Sequence, residues 1–373
     1  MEYGVVTEAA DAVADVVRSG ITCYWRGGEK TRALEAVFAE KIGRRGAFFH
    51  NSGSGALISG LHALGAEYGT PVGISSAGFV ASLNAVYHCR ARPLFLPTDP
   101  ATLVVSCESD PGFVVAPEIL LVTQFFGNLI DIDRLRALWK PRAVLEDASQ
   151  ALGSWIHGVP VGSHGEVATF AGSVKKLLGS GTGGINVYDD PELGERMRIL
   201  AHHGKGHRQY AEVPGFNFFG GEIEATLALA AMERLEDRAT ARNATGEAML
   251  EVLSGAGLRC GRPPAGVDGF VAWFDVAVVL PDAWRGPHRD WLVAALQAEG
   301  VPAWFYPALI DMPWVKPWLE AEGWWSERDE DVLRHEKDLW DRTFVIATQM
   351  DPEDGVRCAR ECVRTLCGDA CEA

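Results

Sequence analysis

The sequence predicts an α/β fold, with a large unit built on a mostly parallel sheet covered by helices and a smaller C-terminal α+β unit. Short apolar runs alternate with helical periodicity in the first part of the chain, and a long helical region runs from Glu222 to Ser254. Beyond it the pattern changes to a mixture of strands and helices. A chain of 373 residues, 47% of them hydrophobic, can bury a core of that size. We place the division so that residues 1–240 form the large domain and 241–373 the small one.

The elements follow in order. Leu34, Val37, Phe38 and Ile42 fall at helical spacing. A second helix begins at Ser54 and carries Leu57, Leu61 and Leu64 to Gly65. Strand-like runs occupy Pro71 to Ser75, Pro93 to Pro97, Ile119 to Thr123, Ala143 to Leu145 and Ile185 to Tyr188. Helical stretches such as Asp133 to Trp139 separate most of them, as parallel strands require. Ligands of such sheets sit at the carboxyl ends of the strands. Ser52-Gly53-Ser54 and Glu146-Asp147 both fall at element ends where that crevice lies. In the small unit, Phe270 to Leu280 and Thr343 to Ala347 read as strands, and His288 to Glu299 and Pro352 to Leu366 as helices.

The formal charge of −16 argues against nonspecific nucleic-acid binding, which needs a basic surface. No window of about eighteen uninterrupted apolar residues predicts a membrane span. The start, Met1-Glu-Tyr-Gly-Val-Val-Thr-Glu8, lacks a basic segment and an apolar signal core, so a cytoplasmic location is expected. Cys358, Cys362, Cys367 and Cys371 crowd the C-terminus, but without the close Cys-x-x-Cys pairs of a metal knuckle. Cys358 and Cys362 read as small apolar residues of an amphipathic helix. No metal site is expected, and the thiols are expected to be reduced.

The chemistry concentrates in Phe170-Ala-Gly-Ser-Val-Lys-Lys-Leu-Leu-Gly-Ser-Gly-Thr-Gly-Gly184 and the preceding Glu146-Asp147-Ala-Ser-Gln150. A lysine amine can hold pyridoxal phosphate as a Schiff base, and an aspartate can keep its pyridine nitrogen protonated. Each piece alone has a plainer reading. A Lys-Lys pair beside glycines fits a solvated loop, and an aspartate after a strand fits a helix cap. Ser52-Gly53-Ser54-Gly55 at a helix start offers N–H groups and a hydroxyl to an anion, and equally fits a serine N-cap. Phe79 is a flat ring for stacking or a core aromatic. Asn217, in Pro214-Gly-Phe-Asn-Phe218, by itself marks a turn.

In sequence order these pieces resemble the DegT/DnrJ/EryC1/StrS sugar aminotransferases, which are fold-type I pyridoxal-phosphate enzymes. The resemblance runs from Trp25-Arg-Gly-Gly28 and Leu34-Glu35 through Asn51 to Leu57, Gly78-Phe79, Phe126-Gly127 with Asp131, and Glu146 to Ala151. It continues through Lys176 to Gly184, His203-Gly204, Gly215-Phe-Asn217, Glu222-Ile223, Tyr306-Pro307 and Met312-Pro313. It implies Lys176 as the Schiff-base lysine, with Lys175 as its rival, and Asp147 on the pyridine nitrogen. It implies Gln150 near the phenolic oxygen, Phe79 stacked on the ring, and Gly53, Ser54 and Gly55 as a phosphate cradle. It further implies a homodimer with shared active sites, in which Asn217 reaches the neighbour's phosphate.

Four departures stand out. The family's serine five residues before the lysine is Ala171, and Ser173 substitutes for it only if the loop bends differently. The family's arginine two residues after the asparagine is Phe219, its acid before the double glycine is Thr182, and its histidine after the tyrosine-proline segment is Ile310. Phe219 and Tyr306 are therefore the substrate-side candidates. With Trp304 and Phe305 close by, they lead to the expectation of a less cationic acceptor pocket and a ring substrate without a nucleotide. The implied reaction moves an amino group from glutamate or glutamine to a keto or aldehyde group of a cyclic sugar, cyclitol or related metabolite, in small-molecule, antibiotic-type biosynthesis. A dehydratase of the same fold would carry histidine in place of Lys176. A degenerate partner subunit would show losses such as Ala171 and Phe219.

Overall fold

The computed structural model describes residues 7–23, 28–107, 115–206 and 210–367. Met1 to Val6, Trp25-Arg26-Gly27 and Cys371 lie outside the described residues. In chain order the strands are β1 (Gly46–His50), β2 (Pro71–Ser75), β3 (Arg92–Leu96), β4 (Ile119–Thr123), β5 (Ala143–Asp147), β6 (Trp155–Ile156) and β7 (Val159–Pro160). There follow β8 (Val167–Ala171), β9 (Gly184–Tyr188), β10 (Arg259–Cys260), β11 (Gly269–Phe270), β12 (Asp275–Val279), β13 (Ala303–Trp304) and β14 (Thr343–Ala347).

The main sheet has the order β1-β9-β8-β5-β4-β2-β3. Strands β3, β2, β4, β5 and β8 pair in parallel, and β9 runs antiparallel between β8 and β1. β4 and β5 are buried along their whole length, as sheet strands covered on both faces must be. One apolar cluster gathers Leu57, Leu61 and Leu83 from helices Gly53–Ala63 and Val80–His88. The other gathers Leu34, Phe38, Ala225 and Ala228 from helices Glu29–Ile42 and Glu222–Glu233. Phe48 and Phe49, neighbours on β1, divide between the two clusters because successive strand residues face opposite ways.

The small sheet is antiparallel, in the order β10-β12-β14-β13. The long helical region is two helices, Glu222–Glu233 and Leu235–Gly255, and the second crosses the expected boundary at 240. Helix Pro352–Cys367 packs along it and buries Cys358 and Cys362. The expected strand from Phe270 to Leu280 is split into β11 and β12. Between them the backbone bonds elsewhere: Ala272 N–H donates to Ser154 Oγ at 2.9 Å and Phe274 N–H to the Phe126 carbonyl at 2.8 Å. β11 pairs instead with β6, which stitches the C-terminal part onto the large unit. No helix among the described residues is long and apolar enough to cross a membrane.

Candidate active site

Sheet register brings the sequence candidates to one edge. Asp147 ends β5, Ala171 ends β8 opposite Gly184, and His50 ends β1 opposite the same Gly184. The segment 172–183, which carries Lys176, therefore turns at the carboxyl edge of the parallel strands. Helix Gly53–Ala63 leaves from the end of β1 and helix Val80–His88 follows the end of β2. This is the edge where open α/β sheets hold ligands.

Asp147 is buried. Its Oδ2 accepts a 2.7 Å hydrogen bond from the Ser82 hydroxyl, and its Oδ1 accepts from Ser149 N–H at 3.2 Å. The carboxylate is thus fixed in direction rather than used as a helix cap. Ser82 lies on the helix whose N-cap is Phe79. Phe79 is 51% exposed, so it is not a core aromatic, and its ring is left open for stacking.

Lys176 anchors its N–H to the Ser173 carbonyl at 2.8 Å and rests its Nζ 3.9 Å over the Phe274 ring. Burial draws the amine down to about 8, while Asp147 and Asp275 pull it back up and Arg242 and Lys175 push it further down. Lys175 points to a different partner, its Nζ lying 4.3 Å over the Trp304 ring.

The cradle is built by close backbone approach. A Cβ on Gly53 would fall 2.8 Å from the Ala171 methyl, and one on Gly184 would fall 2.7 Å from Gly53. Ser52 is the N-cap, its Oγ accepting from Gly55 N–H at 3.0 Å. Gly53 and Ser54 open the helix, where first-turn N–H groups have no intrahelical acceptor and suit an anion, and Ser54 is exposed. Ser173 is exposed at the start of the lysine turn and bridges Gly181 through its backbone. Ser180, by contrast, turns its hydroxyl to the Gly172 and Thr182 carbonyls.

Gln150 does not point freely into the site. Its Oε1 accepts from Phe126 N–H at 2.6 Å. Phe126 has φ 63 and Gly127 φ 86, so two consecutive residues sit in the left-handed region. A Cβ on Gly127 would lie 2.8 Å from the Ala272 carbonyl, which explains the glycine. This turn holds Phe274, and Phe274 holds Lys176.

Three residues beneath the lysine escaped the sequence reading: Phe274, Asp275 and Arg242. Asp275 stands as an acid inside the apolar run Phe270 to Leu280, and that anomaly was the available signal. Arg242 is buried and donates to the Lys175 carbonyl at 2.6 Å; burial brings its guanidinium down to about 9. Tyr306 places its hydroxyl 3.5 Å from Asp275 Oδ2, and burial followed by the charge of Asp275 pushes its pKa well above the usual range.

Four candidates remain. Asn217 gives its carbonyl to Asn51 Nδ2 at 3.1 Å and leaves its side chain exposed. Phe219 packs edge-on against Phe48, with ring centroids 5.8 Å apart, and tilts against His202 at 5.3 Å. Ile310 is buried in the core, and Thr182 Oγ1 donates to the Asn51 carbonyl. Ile310 therefore serves packing, whereas Phe219 is only half-buried.

Comparison with known proteins identifies the family and the fold. The model of the DegT/DnrJ/EryC1/StrS aminotransferase family matches residues 5–321. GDP-perosamine synthase of Caulobacter vibrioides is 28% identical over 288 residues, 75% of this chain and 77% of that protein. The dTDP-4-dehydro-2,3,6-trideoxy-D-glucose 4-aminotransferase of Saccharopolyspora spinosa is 34% identical over 205 residues, 53% of this chain and 52% of that protein. Among solved structures, 3-amino-5-hydroxybenzoic acid synthase superposes with a TM-score of 0.87 at 20% identity, covering 98% of this chain and 97% of that one. DesV of S. venezuelae superposes with a TM-score of 0.79 at 27% identity, covering 96% and 94%. The fold is that of the fold-type I aminotransferases, and the chain is an aminotransferase belonging to the DegT/DnrJ/EryC1/StrS family.

Proposed function

We propose that this chain is a pyridoxal-phosphate-dependent sugar aminotransferase that takes an amino group from glutamate or glutamine and delivers it to a keto group on a sugar. The observation that carries the reading is a half-buried lysine, its amine drawn down to about 8, at the same sheet edge as an aspartate fixed by Ser82. Bound pyridoxal phosphate supplies an electron sink that stabilises negative charge on the carbon bearing the transferred nitrogen.

The chain's residues fit that group. The Gly53 and Ser54 N–H groups suit its phosphate, and Phe79 suits its ring face. The Asp147 carboxylate suits a protonated ring nitrogen, through a charge-assisted hydrogen bond. Gln150, with its Oε1 tied to Phe126, would have only its amide nitrogen left to offer the phenolic oxygen. Lys176, with its lowered proton affinity, serves as the base and acid that moves a proton at the reacting carbon.

The names of the two relatives favour a nucleotide-linked keto sugar as the acceptor. The opposite expectation rested on Phe219 and Ile310, and of these Ile310 is buried in the core while Phe219 is half-buried. Asn217, exposed beside the cradle, is the residue we assign to the phosphate of a second copy in a homodimer.

The test is an absorbance titration of the cofactor-loaded protein with L-glutamate and L-glutamine, alongside an assay for the 2-oxo acid formed. Conversion of the cofactor spectrum with stoichiometric 2-oxo acid supports the reading. A spectrum unmoved by any amino donor, on protein shown to hold the cofactor, overturns it.

A further inference from the structure

Helix Val80–His88 begins beside Phe79 at the catalytic edge and runs back along the sheet, since β3 after it lies parallel to β2. Asn84, Tyr87 and His88 share one face of this helix, at i, i+3 and i+4. Tyr87 lies on the order of 12 Å from Phe79 along the helix axis. Opposite that face stand Trp314, the N-cap of helix Val315–Ala321, and Trp318 within it. The five side chains line a cavity of about 420 Å³. Tyr87 and His88 are exposed, so the cavity opens to solvent.

The walls are aromatic and their angles are set. Tyr87 stands edge-on to both indoles, with ring centroids 5.5 Å from Trp314 at 77° and 5.0 Å from Trp318 at 73°. The two indoles lie 5.7 Å apart and are inclined by 34°. Behind them Trp324 packs on Trp318 at 6.2 Å and on Tyr68 at 5.8 Å, and the Tyr68 hydroxyl donates to Glu322 Oε2 at 3.0 Å. Val315 and Leu319 of the short helix are buried. Leu309 N–H donates to the Ser76 carbonyl at 2.9 Å and docks the segment on the main sheet. The cavity is thus built before a ligand arrives.

Its polar groups are uncommitted. Among the described residues no hydrogen bond engages the Asn84 amide, the Tyr87 hydroxyl, the His88 ring or the indole N–H of Trp314 or Trp318. Elsewhere an acid takes the indole N–H: Trp273, Trp325 and Trp340 donate to Glu247, Glu330 and Glu336, each at 2.9 Å. None of the five lining side chains carries a permanent charge. The nearby cations face elsewhere. Lys316 pairs with Glu330 and lies 5.1 Å over the Trp325 ring, and Arg90 lies 4.8 Å over Tyr68.

We propose that this cavity binds an uncharged polyhydroxylated ring, a sugar or cyclitol unit, at the end of the helix opposite the catalytic edge. Such a ring has a face of C–H groups and a rim of hydroxyls. The Trp314, Trp318 and Tyr87 rings suit the face, and the amide, imidazole, phenol and indole N–H groups suit the rim. A purely apolar ring would strip those polar groups of water and give nothing back. A phosphorylated ring would find no cation among the lining residues. The inference goes beyond the aminotransferase reading, and no residue of the cavity is among those assigned to the cofactor or to amino transfer.

The test is saturation-transfer difference NMR on the cofactor-loaded full chain. The probes are the methyl glycosides of glucose, galactose and mannose, with myo-inositol as the cyclitol arm and benzyl alcohol as an apolar ring. Millimolar binding of at least one hydroxylated probe is expected, as suits a single small ring. Trp318→Ala is expected to weaken it about tenfold or more, since one stacked aromatic carries much of such binding. Asp147→Asn, at the catalytic edge, is expected to leave it unchanged. No transfer to any hydroxylated probe, transfer to benzyl alcohol alone, or transfer that survives in Trp318→Ala overturns the proposal. Loss in Asp147→Asn would place the ring at the catalytic edge and overturns it as well. Should Trp318→Ala fail to fold, His88→Ala, at an exposed position, gives the second reading. A several-fold weakening is expected there, and unchanged affinity contradicts the proposal. The amino-donor titration and this one share no readout, so each fails separately.

Discussion

The Ser82 hydroxyl donates a 2.7 Å hydrogen bond to Oδ2 of Asp147, and so joins the helix that begins at Phe79 to the end of β5. The same helix thus carries the exposed Phe79 ring at its N-cap and fixes the direction of the Asp147 carboxylate. Removing one hydrogen bond to a charged group costs about 1.5–3 kcal/mol. Ser82→Ala is expected to lower kcat about tenfold, since 1.4 kcal/mol is a factor of ten. The cofactor is expected to remain bound. Steady-state kinetics with a cofactor-binding titration check this, and unchanged turnover would show that Asp147 is oriented by other groups.

Gly127 is the hinge piece of the turn that holds Phe274. Gly127→Ala forces a side chain into φ 86, with a Cβ 2.8 Å from the Ala272 carbonyl. We expect a loss of about 2 kcal/mol or more in urea unfolding. A variant as stable as the parent would mean that the turn adapts.

Glu35 gives the pH dependence. Burial raises its carboxyl to about 7; the hydrogen bond from Phe49 N–H and the charges of Arg198 and Arg32 oppose the shift, and Glu222 adds to it. The folded state then holds the proton more tightly than the unfolded chain, whose value is near 4.5. This contribution is complete below the unfolded value and is lost as pH rises through the folded one, by on the order of 3 kcal/mol. Glu35→Gln is expected to remove that slope, so the variant gains on the parent from weakly acidic to neutral pH. Parallel melting curves for the two proteins across that range would contradict the assignment.

Asn217 tests the shared site. Inactive Lys176→Ala and Asn217→Ala subunits, refolded together, are expected to recover activity, because some mixed dimers hold one site with both residues intact. Mixed dimers without activity would place Asn217 at the phosphate of its own chain, next to Asn51.

Much of this site was legible because its residues end regular elements. Asp147 closes an apolar run, Gly53 opens a helix, and Lys176 stands in a glycine-rich turn, so local pattern located all three. β1 and β8 were missed because Gly46–His50 and Val167–Ala171 are short and rich in alanine, aromatic and polar residues, without clean alternation. The break between β11 and β12 depends on Ser154 and Phe126, far away in sequence, and no local propensity encodes it. Ser82 and Asp275 escaped for the same reason: a hydroxyl or carboxyl gains its role from a partner that only the fold brings near. Ile310 was read as substrate-facing because of what it replaces, whereas its neighbours place it in the core.

The central claim is that Lys176, and not Lys175, carries the cofactor. Borohydride reduction of the pyridoxal-phosphate-loaded protein, followed by peptide mapping, tests it most directly. The account predicts a pyridoxyl group on Lys176, the amine over Phe274 that burial has drawn down to about 8. A pyridoxyl group on Lys175, or on neither lysine, would contradict it.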